Sequence, residues 1–170
     1  IKAQVESGNV TWDIVDVELS DALRACDEGL VEEIDHSTLP AAPDGTPATE
    51  DFLPGTLQDC AVASIFWSSV YVYDAGKTRN WNAPKTMADF FDLKAFPGKR
   101  GMRKSPKVTL EFALIGDGVP TDQVYDLLRT EEGIARAFAK LDTIKDQVVW
   151  WEAGAQPAQL LADGEVVFTT

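Results

Sequence analysis

Residues 147–170 read QVVWWEAGAQPAQLLADGEVVFTT. Positions 147–151 are rich in branched and aromatic side chains, which is typical of a strand. Positions 157–162 have the pattern of a helix that begins at a proline and ends before a glycine. Positions 165–170 predict a second strand. These segments follow the order strand, helix and strand, which is the order of an α/β fold.

Helix signals are dense in the rest of the second half. Ser105 and Pro106 predict the N-cap and the first position of a helix, because serine caps the free backbone donors and proline needs none. The predicted helices of this region begin near residues 86, 105, 121 and 133, and residues 86–89 have the pattern of a capping box at the start of the first of them. Helices that alternate with strands predict an α/β fold with mostly parallel pairing.

The first half combines strand patterns with a proline-rich loop. Residues 12–17 predict a short strand, and residues 20–26 predict a short helix that stops at Gly29. Residues 38–56 contain four prolines and predict a surface loop. Residues 61–73 are rich in aromatic and branched side chains and predict a long buried strand.

The charge of the chain narrows the class of partner. It has 28 acidic and 15 basic residues and a formal net charge of −13. We expect no nucleic acid partner, because binding one needs clustered Lys and Arg to displace counterions. An anionic membrane surface is disfavoured for the same reason. An excess of acidic residues keeps a protein soluble and monomeric. The longest apolar run, at 61–73, is too short to span a bilayer.

The ends of the sequence indicate a fragment. It begins with Ile1, carries no signal peptide pattern, and ends on a predicted strand. We therefore expect that sequence is missing at both ends. The two cysteines, Cys26 and Cys60, fit either two buried thiols or a disulfide that closes a loop of about 35 residues.

Residue types that support catalysis are scarce. The single histidine, His36, lies in a polar stretch without a nucleophile motif and is expected to be a solvated loop residue. No group of residues has zinc-ligand spacing, and no glycine-rich phosphate loop occurs. We expect no enzyme activity, no metal and no cofactor.

One local cluster of charge suggests a binding site. Five of the 15 basic residues lie within nine positions, namely Lys99, Arg100, Arg103, Lys104 and Lys107. They surround the helix start predicted at Ser105, where free backbone N–H groups attract an anion. The cluster predicts a subsite for a ligand carboxylate, with the fork of Arg103 as the best-suited group. A solvated basic turn in an acidic protein is the alternative.

Aromatic and acidic residues near the predicted strands add further candidates. Trp150 and Trp151 are adjacent, so on a strand they face opposite sides and one of them should reach a surface. Trp67 is an aromatic candidate beside another strand, although core packing is the alternative for each. Glu18 follows the strand predicted at 12–17, and ligands of open α/β sheets bind beyond the carboxyl ends of strands. Glu18 is therefore a candidate partner for a ligand amine or else a solvated carboxylate.

Several short segments occur in the same order in one known family. They are WDIVDVE at 12–18, CDEGL at 26–30, DFLPG at 51–55, SIFWSS at 64–69, ALIGDG at 113–118, WWEAGAQP at 150–157 and LADGEV at 161–166. Over nearly the whole chain the sequence resembles the spermidine/putrescine-type periplasmic solute-binding proteins of ABC transporters.

This resemblance implies a two-lobed type II fold with three-layer αβα lobes that are incomplete here. It places residues 1–70 in a partial first lobe and residues 71–170 in the second. It also implies a disulfide between Cys26 and Cys60, a periplasmic location after removal of a signal peptide, and a monomeric protein that delivers its ligand to an ABC permease. Lobes of this family close on the ligand about a hinge.

The resemblance also implies a ligand, and here the sequence departs from the family pattern. Polyamine receptors carry acidic residues before the second-lobe helix, whereas this chain has Arg103, Lys104 and Ser105. Basic residues in one lobe and Glu18 in the other suit a zwitterion such as the ω-amino acid 4-aminobutyrate, with a polyamine as the family-based expectation. The predicted ligand-binding residues are Glu18, Ser20, Trp67, Ser68, Arg103, Lys104, Ser105 and Trp151.

Two other functions use the same two-lobed scaffold. One is the effector-binding domain of a transcription regulator, which an upstream helix-turn-helix would indicate and a disulfide would disfavour. The other is an enzyme, which the scarcity of catalytic residues disfavours.

Overall fold

The computed structural model describes residues 1–80 and 82–170. They form two compact units, Ile1–Trp67 (unit 1) and Ser68–Thr170 (unit 2). The assignment of these units to two receptor lobes remains a prediction from the sequence.

Unit 1 consists of short helices and a small antiparallel sheet. Its elements are α1 (Lys2–Ser7), α2 (Leu19–Asp27), a 3-10 turn (His36–Thr38), α3 (Ala48–Asp51), β1 (Leu57–Gln58) and β2 (Ala61–Val62). A disulfide joins Cys26 in α2 to Cys60 between the two strands, with 5.7 Å between their Cα atoms. This bond confirms the pairing that the family resemblance implied.

The helix predicted at 20–26 is confirmed, and its end follows the expected chemistry. The chain leaves α2 at Gly29, whose left-handed backbone (φ 64°) suits glycine. The N–H of Gly29 donates to the Cys26 carbonyl at 2.9 Å. The loop predicted at 38–56 is correct except that it contains the single turn α3.

Two strand predictions in the first half are wrong. Residues 12–17 are irregular and mostly exposed, and of residues 61–73 only the ends are strands. Residues 64–70 between them are exposed. An apolar, β-rich sequence becomes a strand only when another strand pairs with its backbone, and no strand among the described residues pairs with 12–17 or 63–71.

Unit 2 contains a four-stranded sheet and most of the helices. Its elements are β3 (Val72–Tyr73), α4 (Met87–Phe91), β4 (Arg100–Arg103), α5 (Thr109–Gly116), a 3-10 turn (Thr121–Gln123), α6 (Val124–Leu128), α7 (Glu131–Asp142), a 3-10 turn (Lys145–Gln147), β5 (Val148–Trp151), α8 (Gln156–Ala162) and β6 (Phe168–Thr169). The helices predicted near residues 86, 121 and 133 are thereby confirmed.

The sheet of unit 2 confirms the mostly parallel pairing that the alternation of strands and helices predicted. Its strand order is β3-β6-β4-β5. Both β5 and β6 pair in parallel with β4, and α8 connects them as the crossover helix. Only the short β3 pairs antiparallel, with β6. The predicted strand at 165–170 is reduced to the two residues of β6.

Helices cover both faces of this sheet. On one face Phe90, Met102, Leu114 and Phe168 belong to a single buried core cluster that also includes side chains of α6 and α7. On the other face a Cβ atom at Gly101 would lie 3.5 Å from Leu160 of α8. Unit 2 thus has the three-layer αβα arrangement expected for a lobe.

Helix α4 begins with the predicted capping box. The Thr86 hydroxyl accepts the Asp89 N–H at 3.3 Å, and the Asp89 carboxylate accepts the N–H of Thr86 at 2.8 Å and that of Lys85 at 2.7 Å. The bond from Lys85 is the main reason that the pKa of Asp89 lies below its ordinary value. The box fixes the entry to α4.

Arg100 is a structural cation inside unit 2, which corrects its place in the predicted anion-binding cluster. Its side chain is fully buried. Its guanidinium donates to the carbonyls of Phe90 (2.7 Å), Phe96 (2.7 Å) and Gly98, and it lies 4.6 Å from the centre of the Phe168 ring. Burial lowers the pKa of Arg100 to about 10. Arg100 therefore provides hydrogen-bond donors to backbone carbonyls in and after α4, and it does not face a ligand.

In the described part of the chain, none of the helices combines the length and the apolar character needed to cross a membrane.

Candidate functional site

The ends of β4 and β5 lie side by side at one edge of the parallel sheet. Arg103 is opposite Trp151 in the ladder, and the Lys104 N–H donates to the Trp151 carbonyl at 2.8 Å. We call residues 103–105 and 151–153 the carboxyl edge. Ligands of open α/β sheets bind beyond such edges because the loops that leave the strands converge there.

The turn after β4 differs from the prediction. Helix α5 begins at Thr109 rather than at Pro106, and Ser105 is not its N-cap. The reason is Val108, which has φ 70° and is the only non-glycine residue with positive φ among those described. A helix cannot run through this left-handed residue. The free backbone donors at the start of α5 therefore lie three residues further along the chain than the sequence predicted.

Side chains and turn bonds keep the residues after β4 in place. The Ser105 hydroxyl accepts the Lys107 N–H at 3.2 Å, and the Ser105 N–H donates to the Arg103 carbonyl at 2.9 Å. The buried Thr109 hydroxyl donates to the same Arg103 carbonyl at 3.0 Å. Thr109 was not predicted as a site residue. It connects the start of α5 to the end of β4.

The basic residues of the predicted cluster occupy different positions. Arg103 is half-buried at the carboxyl edge, whereas Lys104 is exposed and pairs with Glu152 at 3.1 Å. Strand alternation gives Arg103 the face of β4 opposite that of Arg100. By its planar fork and its partial burial, Arg103 remains the candidate at this edge for a ligand carboxylate.

The two adjacent tryptophans of β5 differ in exposure, as expected for neighbouring residues of a strand. Trp150 is 45% exposed, which confirms that one of the two tryptophans reaches the surface. Trp151 is half-buried beside Arg103 in the ladder. Its indole N–H is buried and meets no acceptor among the described residues. The carboxyl edge thus combines a cation, a hydroxyl and an aromatic ring.

Gln156 is a site-adjacent residue that sequence reasoning missed. Its side-chain oxygen accepts the N–H of Glu152 at 2.8 Å and that of Ala153 at 2.7 Å. The sequence carries no signal for these bonds, because they depend on the geometry of the turn between β5 and α8.

The remaining predicted residues lie elsewhere in the chain. In unit 1, Glu18 is half-buried at the N-cap of α2, and Ser20 is exposed in the first turn of that helix. Trp67, the last residue of unit 1, is 62% exposed. Ser68, the first residue of unit 2, is also exposed. The structure therefore brings together Arg103, Lys104, Ser105 and Trp151 within unit 2, and Glu18 and Ser20 within unit 1.

No group of His, Cys, Asp and Glu suited to a metal ion occurs within residues 1–80 and 82–170. His36 accepts or donates one hydrogen bond, with the Gln58 carbonyl at 3.0 Å.

The family of this chain follows from comparison with known proteins. The family described as bacterial extracellular solute-binding protein matches residues 1–170. The chain belongs to this family, and its fold is the α/β fold of type II periplasmic binding proteins, as its structural neighbours show.

Individual relatives make the comparison more specific. The gamma-aminobutyric acid-binding protein of Pseudomonas aeruginosa is 50% identical over 169 residues, which is 99% of this chain and 46% of that protein. MotA of A. tumefaciens B6, a PBP solved in complex with glucopine, is 41% identical with a TM-score of 0.85, over 99% of this chain and 50% of that one. The Atu4243-GABA receptor is 38% identical with a TM-score of 0.79, over 99% and 48%. The chain thus spans about half the length of these relatives.

Proposed function

We propose that the protein containing this chain is the substrate-binding component of an ABC importer that captures a small amine-containing solute. Among such solutes, an ω-amino acid such as 4-aminobutyrate fits better than a polyamine such as putrescine or spermidine. The observation that carries this proposal is Arg103, a half-buried cation at the carboxyl edge of the parallel sheet.

The charges of the carboxyl edge support a ligand with a carboxylate. The edge contains two cations, Arg103 and Lys104, and one carboxylate, Glu152, which pairs with Lys104. A polyamine end would meet Arg103 as a like charge, and like-charge contacts cost several kcal/mol. A carboxylate can accept two parallel hydrogen bonds from the arginine fork. Glu18 in unit 1 remains the sequence-based candidate for the ligand amine, and Ser20, Trp67 and Ser68 remain candidates for lining the site.

The relatives support the same class of ligand. Two of them carry gamma-aminobutyric acid or GABA in their names. Both are at least 38% identical to this chain over 99% of its length. Similarity of this extent makes a shared ligand class a reasonable starting hypothesis.

Location and partners follow from the proposed role. We propose a periplasmic protein that acts as a monomer and delivers its ligand to an ABC permease without catalysing a reaction. The disulfide between Cys26 and Cys60 supports this location, because such bonds persist in oxidising compartments. It disfavours the effector domain of a cytoplasmic transcription regulator.

Calorimetric titration of the full-length protein tests the proposed ligand class. We expect 4-aminobutyrate to bind at least about 100-fold more tightly than putrescine or spermidine, because the ammonium that replaces the carboxylate lies against Arg103. Tight putrescine binding without any response to 4-aminobutyrate contradicts the proposal.

A further inference from the structure

We infer that Gln156 is a positioning residue of the carboxyl edge, which fixes the backbone after β5 and with it the places of Trp151 and Glu152. The inference rests on the proposed function, since it concerns how the edge is held ready for a ligand. Nothing in the similarity to known relatives assigns a role to this side chain.

The first step is that one side-chain oxygen accepts two hydrogen bonds. Gln156 Oε1 accepts the consecutive N–H groups of Glu152 (2.8 Å) and Ala153 (2.7 Å), and the Gln156 N–H donates back to the Ala153 carbonyl at 2.9 Å. Three hydrogen bonds thus close the four-residue turn between β5 and α8. Two neighbouring amides that share one acceptor have little freedom to rotate independently.

The second step connects this turn to the cations of the edge. Glu152 is the residue that pairs with Lys104 at 3.1 Å, and the Lys104 N–H bonds to the Trp151 carbonyl at 2.8 Å. When the turn is fixed, the Glu152 carboxylate stays at Lys104 and Trp151 keeps its place opposite Arg103 in the ladder. When it is loose, Glu152 and Trp151 lose these places, and the carboxyl edge no longer presents one arrangement to a ligand. Gln156 therefore acts on ligand binding through Glu152 and Trp151.

The third step is that Gln156 contributes little to the core. Its side chain is exposed and lies on a short helix without fully buried residues. Gln159, one turn further along the same helix, is a matched control. It is also exposed, and its amide donates to the Asp163 carboxylate at 2.7 Å without touching the carboxyl edge.

The test compares Gln156→Ala with Gln159→Ala in the full-length protein by calorimetry with 4-aminobutyrate. We expect Kd to rise about tenfold in Gln156→Ala and to stay within about twofold of wild type in Gln159→Ala, with similar small losses of unfolding free energy in both variants. Similar stability losses with different Kd values separate positioning from general destabilisation.

A second readout needs no ligand. In protein labelled with fluorotryptophan, the fluorine resonance of Trp151, assigned with Trp151→Phe, is expected to shift in Gln156→Ala and not in Gln159→Ala. An unchanged Kd together with an unshifted resonance overturns the inference while leaving the proposed function intact. A wild-type protein that does not bind 4-aminobutyrate contradicts the proposed function and removes the inference with it.

Discussion

Replacement of Arg100 by methionine is expected to lower the unfolding free energy by about 3–5 kcal/mol. The guanidinium donates short bonds to the carbonyls of Phe90, Phe96 and Gly98 from a fully buried position. Methionine fills part of the space but has no donor, so these carbonyls lose their partner without regaining water. Each unsatisfied buried acceptor costs about 1–3 kcal/mol.

The stacking of Arg100 on Phe168 adds to this loss. The guanidinium carbon lies 4.6 Å from the ring centre, and the ring is itself fully buried. A cation at a desolvated aromatic face contributes up to about 2 kcal/mol. Arg100→Lys keeps the charge but not the planar fork, so its expected loss is intermediate.

Urea denaturation of the full-length protein measures this effect, with Arg129→Met as the control. Arg129 is exposed and pairs with Asp126 at 2.8 Å, which is a surface ion pair within one helical turn. Removing such a pair changes stability by about 0.5 kcal/mol or less. Equal losses in Arg100→Met and Arg129→Met contradict the assignment of Arg100 as a structural cation.

Replacement of Arg103 by alanine is expected to raise Kd for 4-aminobutyrate by about 100-fold or more. Truncating one partner of a buried, hydrogen-bonded charge pair costs about 2–5 kcal/mol of binding free energy. The half-buried position of Arg103 at the end of β4 places its bonds to a ligand carboxylate in partly desolvated surroundings. Arg103→Lys retains the charge without the bidentate geometry, so we expect a smaller rise of about tenfold.

Lys104→Ala provides the comparison for Arg103→Ala. Lys104 is adjacent and equally charged, but it is exposed whereas Arg103 is half-buried. Its removal is therefore expected to change Kd less than about fivefold. Calorimetry on both variants, with unfolding free energies measured alongside, checks the difference. A larger effect of Lys104→Ala than of Arg103→Ala contradicts the proposed role of Arg103.

Sequence reasoning succeeded where local chemistry decides the structure. The alternation of β5, α8 and β6, the capping box at Thr86 and the end of α2 at Gly29 depend on residues within a few positions of each other. Strand β4 was not predicted, so the position of Arg103 at the carboxyl end of a parallel strand is known only from the structure.

Sequence reasoning failed where the structure depends on a partner distant in the chain or on an unusual backbone conformation. Residues 61–73 have the composition of a strand, but most of them have no pairing strand among the described residues. The positive φ of Val108 prevents the helix from beginning at Pro106. A sequence gives no reason to expect a branched residue at positive φ.

The role of Arg100 was missed although its signal was present. Arg100 and Met102 share one face of β4, so the alternation of the strand places Arg100 with the core residue and Arg103 on the opposite face. A count of basic residues along the chain ignored that alternation. The hydrogen bonds of Gln156, by contrast, depend on the geometry of one turn and could not be deduced from residue spacing.

The central claim is that the protein recognises its solute by a carboxylate at Arg103. The most direct measurement is calorimetric titration of the full-length protein with 4-aminobutyrate and, separately, with its neutral amide, 4-aminobutanamide. The two ligands share the amine and the carbon chain and differ only in the charge presented to Arg103. We predict that the acid binds at least about 100-fold more tightly. Equal affinity for the acid and the amide contradicts the claim.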